Sequence, residues 1–371
     1  MSYGKECILM FKNYFYGFVY FVWFLVFFEL VARLIVSNDY IFNKIKGIDD
    51  SSNRLEWVHK KVKGKEFCDT LAIYNSTIGW ALQPNLNHVE AFKNVVGGKY
   101  VCTNSKGIRG EDEYDYSKPK GKSRILVLGD SFTFGEEVND IETFSSVLQE
   151  KLPDVEVINF GVFGYGHDQM LIYLKEEGIK YKPDLIILGF VGDDMRRNLL
   201  SFRDYAKPKF FLTHDGLKLT NYPVPNPSEI LDKEIIKMKF LDLVNILVEK
   251  LKWRMGINDS KMEKLSIVIL DEIIKQSEEI GAEVLFLYIP TCYELAPGIP
   301  KPKYEKFFVD YCSKRDINYL NLRHNFLEVD NMKREDWGYP HWNAKAHSLA
   351  GRIIFEYLQK NHILKNVTMN N

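Results

Sequence analysis

The sequence predicts an α/β fold: about five parallel strands in a central sheet with helices on both faces, three layers in all, preceded by an N-terminal transmembrane helix. Three observations carry this reading. From Arg124 onward, short runs of apolar and β-branched residues alternate with segments of helical periodicity, the pattern of strands joined by crossover helices. These runs end in polar or glycine-rich loops, as strands do at the carboxyl edge of an open parallel sheet. At the N-terminus, Asn13 to Phe28 contains no charged residue.

The apolar segment Tyr14 to Val36 has 23 residues, and at about 1.5 Å per residue a helix of that length crosses a hydrocarbon core of roughly 30 Å. Glu29 and Arg33 stand at i, i+4 and can pair. No small-residue cleavage site follows, so residues 1–36 read as a cytoplasmic stub and an uncleaved signal anchor, a single pass with the catalytic domain extracytoplasmic. Counting Lys5 and Lys12 against Arg33, Lys44 and Lys46 does not by itself fix that topology.

Residues 37–121 are mixed, polar and turn-rich, and form an N-terminal extension packed on the main domain. Residues 122–371 are that domain. Strands are expected at Arg124–Leu128, Glu156–Phe160, Leu185–Phe190, Glu283–Pro290 and Ile317–Leu320, and helices at Ile141–Lys151, Asp168–Lys180, Lys303–Arg315 and Lys345–Gln359. A helical insertion interrupts the alternation at about residues 200–282. Within it Glu229 to Trp253 carries apolar residues at helical spacing, and a second helix, Lys264 to Gly281, ends on a glycine.

Composition excludes several classes of function. With 49 basic and 50 acidic residues there is no excess positive charge to hold a nucleic acid. The five cysteines lack CxxC spacing, and the eight histidines show no HExxH pattern, so no metal site, redox motif or cofactor is indicated. Cys68 and Cys102 are a possible disulfide pair in an oxidising compartment. GDSFTFG lacks the Lys-Ser/Thr of a phosphate-binding P-loop.

Four segments stand at the ends of the predicted elements: Gly129-Asp-Ser131, "NFGVFGYG" (Asn159–Gly166), "GFVGDDMRRN" (Gly189–Asn198) and "HWNAKAH" (His341–His347). Ser131 reads either as a helix N-cap or as a nucleophile at a strand end. A serine hydroxyl needs an imidazole to take its proton, which makes His341 its natural partner. His347 lies within the last helix and reads as structural, while Asn343 reads as that helix's cap.

Taken together, these segments resemble the blocks of the SGNH/GDSL hydrolases, serine esterases and acyltransferases with a flavodoxin-like sheet. The resemblance runs from about Lys122 to Leu358 and implies Ser131 as nucleophile, His341 as base, and the backbone N–H groups of Ser131 and Gly164 as an oxyanion hole. Two positions depart from the family pattern. Where an Asn amide is expected as a further oxyanion donor, the chain has Asp193, which repels an oxyanion when ionised. Asn198 is a candidate replacement. The acid normally found two or three residues before the histidine is absent, since Gly338 and Tyr339 stand there. Asp336 is the nominated acid, with Glu335 beside it, and a Ser-His dyad oriented by a backbone carbonyl is the alternative.

The expected function is a membrane-anchored serine ester hydrolase or O-acyltransferase acting through a Ser131 acyl-enzyme, on acyl esters of surface glycans. Its expected partners are that acyl-ester or glycan substrate and the membrane, through residues 14–36. The alternative is a catalytically degenerate binding or scaffold protein of the same fold at the membrane.

Overall fold

A computed structural model describes residues 2–62, 71–92, 95, 98–296, 298–329 and 333–363. Five strands form one parallel sheet: β1 (Ser123–Gly129), β2 (Val155–Gly161), β3 (Leu185–Phe190), β4 (Glu283–Tyr288) and β5 (Asn318–Asn321). Their order is β2-β1-β3-β4-β5. The chain therefore steps outward from β1 to β2 and returns past β1 to β3, and this reversal opens a crevice at the carboxyl ends of the strands. Register brings those ends level, with Gly129 opposite Gly161 and Leu128 opposite both Phe160 and Leu188.

Strands β1 to β4 were readable because both sheet faces are buried there, so each is an almost continuous apolar run, whereas the edge strand β5 is short and partly exposed. Along β1, Leu126 and Leu128 join one core with Ile158, Ile186 and Phe286, while Ile125 and Val127 join the other with Val157, Ile187 and Leu285. Helices His167–Glu176, Ile257–Glu279 and Lys303–Lys314 cover the first face. Helices Phe144–Lys151 and Ala344–Lys360 cover the second.

Local differences from the expectation have local causes. The helix expected from Ile141 begins at Phe144, because Thr143 caps it by accepting the Ser146 N–H at 3.2 Å. Before it, Asp140–Glu142 form a separate 3-10 turn. The apolar-periodic stretch Glu229 to Trp253 is two helices, Pro227–Ile236 and Lys239–Arg254. The second starts where Glu29 accepts the N–H groups of Lys239 and Phe240 at 3.1 and 3.0 Å, a cap supplied from another part of the chain. An antiparallel hairpin, Lys209–Thr213 with Gly216–Thr220, was not anticipated within the insertion.

The extension contains two antiparallel pairs, Ala72–Asn75 with Gly79–Leu82 and Val89–Ala91 with Lys99–Val101. It is pinned to the loop and helix that follow β2: Trp80 Nε1 donates to the Phe163 carbonyl at 3.0 Å, and Gln169 of helix His167–Glu176 donates to the Ile78 carbonyl at 2.9 Å. The N-terminal helix runs Ser2–Ser37. Its segment Met10–Ser37 is, among the described residues, the one candidate long and apolar enough to cross a membrane, and almost none of it is buried. Cys102 is a free thiol, and its nominated partner Cys68 lies outside the described residues.

Candidate active site

Ser131 is the first residue of a one-turn helix, Ser131–Phe134, immediately after β1. The capping role belongs to Asp130, whose carboxylate accepts the Phe132 N–H at 3.0 Å. The Ser131 hydroxyl is thereby left for another partner, and it lies 3.0 Å from Nε2 of His341.

His341 reaches this position from a loop fixed on several sides. Its neighbour Trp342 is fully buried and donates from Nε1 to the Pro290 carbonyl, just beyond β4, at 3.0 Å. Asn343 caps the last helix by accepting the Ala346 N–H at 3.1 Å. The Phe132 ring packs edge-on against the imidazole at a centroid distance of 5.1 Å. His347 points elsewhere: its Nδ1 accepts the Phe144 N–H at 3.1 Å, and burial pushes its pKa down to about 3. It therefore ties the two helices of one sheet face together as a neutral ring.

Gly164 lies in the loop after β2 with φ at +77°, where a side chain would be strained. There is also no room for one, since an added Cβ would stand 3.2 Å from the Trp80 ring and closer still to the Asp204 carboxylate. Asp193 is exposed and turned to Arg196, 3.4 Å away. Asn198 is buried and committed: its amide donates to Ser266 at 3.0 Å, and its oxygen accepts the Asp168 N–H at 3.1 Å. Neither residue presents a donor toward Ser131.

Arg197, which the sequence reading did not single out, holds the three loops together. One guanidinium nitrogen donates to Asp130 at 2.9 Å, to the Tyr165 carbonyl at 2.8 Å and to Asp194 at 2.8 Å. These acceptors belong to the Ser131 turn, the glycine loop and the segment after β3. Asp194 is fully buried; desolvation and the Asp130 charge push its pKa up, and Arg197 works against them.

The nominated acid is engaged elsewhere. Asp336 is exposed and its carboxylate accepts the Lys333 N–H at 2.7 Å, closing the turn in which it sits. The Glu335 side chain lies outside the described residues. The carboxylates that do face His341 come from the doublet after the Ser131 turn: Glu136 lies 3.4 Å from Nε2 and Glu137 lies 3.9 Å from Nδ1. Burial acts to lower the His341 pKa, but Glu137, Glu136 and Asp130 outweigh it and the net shift is upward. Burial raises the Glu136 carboxyl, with Asp204, Glu137 and Asp130 adding to the rise and His341 opposing it. The acidic doublet was visible in the sequence five residues beyond the serine, but the family pattern directs the search for an acid to the histidine segment.

One group of metal-ligand type occurs among the described residues: His88, Cys102 and Glu111 bring ligand atoms within 4.8 Å of one another. Two of the three are exposed, and burial pushes the Cys102 thiol up to about 11, which keeps it protonated at neutral pH. None of the three contacts Ser131 or His341.

Comparison with known proteins adds the following. The sequence pattern of the GDSL-like lipase/acylhydrolase family matches residues 127–349. Among solved structures, the lipase/acylhydrolase from Enterococcus faecalis is 14% identical over 64% of this chain and 96% of that one, with a TM-score of 0.38. The psychrotrophic esterase EstA from Pseudoalteromonas sp. is 17% identical over 65% of this chain and 99% of its own, with a TM-score of 0.38. A two-domain esterase active on acetylated mannans is 13% identical over 64% of this chain and 49% of its own, with a TM-score of 0.41. No curated protein sequence matches the chain.

Proposed function

The chain belongs to the GDSL-like lipase/acylhydrolase family, and from that membership we propose that it is a membrane-anchored serine ester hydrolase or O-acyltransferase acting on acyl esters of surface glycans. The observation that carries the proposal is the 3.0 Å contact between the Ser131 hydroxyl and His341 Nε2. In this arrangement the imidazole takes the hydroxyl proton as Oγ attacks the acyl carbonyl carbon, and a tetrahedral oxyanion forms. The N–H groups of Ser131 and Gly164 receive that oxyanion, each worth about 2.7–4 kcal/mol in the transition state. Collapse expels the alcohol, which takes its proton from His341, and leaves the acyl group on Ser131. Water then completes hydrolysis, or a sugar hydroxyl completes transfer.

Two features support a glycan at a membrane surface. The apolar N-terminal helix would hold the domain beside glycans carried on the bilayer, with the catalytic domain outside the cytoplasm. The exposed rings of Tyr293 and Tyr339, 5.6 Å apart, flank the histidine loop and offer an apolar face with a polar tip, a surface suited to a sugar ring. The test is covalent labelling with a fluorophosphonate. The folded protein is expected to label and Ser131→Ala to lose the label. Failure of the folded wild type to label would leave the scaffold reading in its place.

A further inference from the structure

We propose that Glu137 is the positioning acid of His341, supplied from the nucleophile's own loop in place of the carboxylate missing from the histidine segment. The proposal rests on the Ser131–His341 reading above, and four independent observations lead to it.

His341 Nδ1 is buried and has no hydrogen-bond partner, although this nitrogen must carry the proton if Nε2 is to receive one from Ser131. Glu137 Oε1 lies 3.9 Å from that same nitrogen, an ion-pair separation that closes to a hydrogen bond with a shift of less than 1 Å. Such contacts are commonly long before substrate binds and shorten in the reacting complex. Among the described side chains just before His341 there is no competitor, because Gly338 and Tyr339 carry no carboxyl and Asp336 serves the Lys333 N–H.

The fourth observation is conformational. Glu137 has φ at +74°, in the left-handed region that glycine occupies freely and a glutamate does not. An unfavourable backbone at a residue whose side chain meets the catalytic base marks a position kept for that side chain. Glu136 does not fill the role. It faces Nε2, the edge that exchanges a proton with Ser131 and the leaving group, so it cannot set the tautomer from the opposite side.

The division of labour follows. In the reacting complex Nδ1–H donates to the Glu137 carboxylate, Nε2 gains the Ser131 proton as the Oγ–carbon bond forms, and the Nδ1 proton stays on the ring. The imidazolium formed in that step is stabilised by the adjacent carboxylate. The charged and titratable groups around the ring are Glu136 and Glu137 from the turn, Asp130 with Arg197 behind it, Asp204 beside Glu136, and His347 on the histidine's own segment. Of these, Glu137 is the one at Nδ1.

The experiment compares Glu137→Gln, Glu137→Asp and Glu137→Gly in the full chain. It uses turnover of an acetyl ester, fluorophosphonate labelling rate, thermal unfolding and the NMR titration of the His341 ring. Glu137→Gln is expected to lower kcat by about 10²- to 10⁴-fold with little change in KM, and to move the His341 titration and the acid limb of the pH profile downward. Glu137→Asp is expected to restore part of the rate. Glu137→Gly is expected to unfold at or above the wild-type Tm while losing the same activity, a result that a merely structural glutamate would not give.

Three results overturn the proposal: wild-type labelling in Glu137→Gln, an unmoved His341 titration, or a titration moved by Glu136→Gln instead. The ring titration reads the Glu137–His341 link whether or not the protein turns over an ester. Loss of the label in Ser131→Ala tests the underlying enzymatic reading separately.

Discussion

A carboxylate at Asp193 would oppose the charge that the family's asparagine stabilises, and the fold removes the conflict by turning the side chain out to Arg196. An exposed pair of this kind is worth roughly 0–1 kcal/mol. Asp193→Asn is therefore expected to change kcat/KM by less than about fivefold, measured by steady-state ester hydrolysis. A rise or fall of tenfold or more would return residue 193 to the reacting centre. Residue by residue, legibility followed how local each requirement is. The places of Ser131 at a strand end and of Gly164 in a tight turn were legible because both are written in adjacent residues. The place of His341 was legible because its block sits at the start of a well-patterned helix. Glu137 was not, since its role depends on a contact with a residue about 200 positions away and on a backbone conformation that no spacing rule announces. By residue type Ser131 could itself cap the turn, but Asp130 holds that place.

Among the elements, those buried on two sides were the readable ones. β1 to β4 appear as apolar runs because both faces of the sheet are covered, whereas the hairpin at Lys209–Thr220 is half exposed and mixes Lys, Thr and Phe without a clear period. Helices Pro227–Ile236 and Lys239–Arg254 merge in the sequence because their apolar spacing continues across Lys237 and Met238. The break depends on Glu29, which is far away in the chain. The site loops likewise depend on one long-range tie. Arg197 joins Asp130, the Tyr165 carbonyl and Asp194, so three loops from three strands share a single cation. Removing one member of a buried charge pair costs about 3–5 kcal/mol, because its partners are left buried and uncompensated. Arg197→Met is expected to lower unfolding stability by that amount and to slow Ser131 labelling even at temperatures where the variant stays folded. Denaturant unfolding and labelling kinetics test the two parts. A stable variant with wild-type labelling would show that the loops hold their geometry without the tie.

At the scale of the whole molecule, the N-terminal helix is joined to the α/β body by its last third. Glu29 accepts the first two N–H groups of helix Lys239–Arg254, Phe28 packs on Phe240 with ring centroids 5.6 Å apart, and Val36 packs against the small core of Phe42, Leu55 and Ile246. The helix thus has two parts with different surroundings: from Phe11 to Phe27 its aromatic side chains are mostly exposed, as a lipid-facing surface would be, whereas beyond it Phe28, Glu29, Ala32 and Val36 meet protein while Leu30 and Leu34 stay exposed. A chain beginning at Phe28 keeps the cap, whereas one beginning at Asn38 loses it, at a cost of about 0.5–2 kcal/mol for an N-terminal cap. If the first part is the anchor, the full chain is expected to stay with the membrane pellet after alkaline extraction, and the chain from Phe28 to leave it. The Phe28 chain should keep the Tm of the full-length body and its Ser131 labelling, while the Asn38 chain unfolds a few degrees lower. Recovery of the full chain in the soluble fraction would refute the anchor. Equal Tm for the two truncations would show that the Glu29 cap contributes nothing to the body, and would leave the N-terminal helix and the α/β domain as mechanically independent parts.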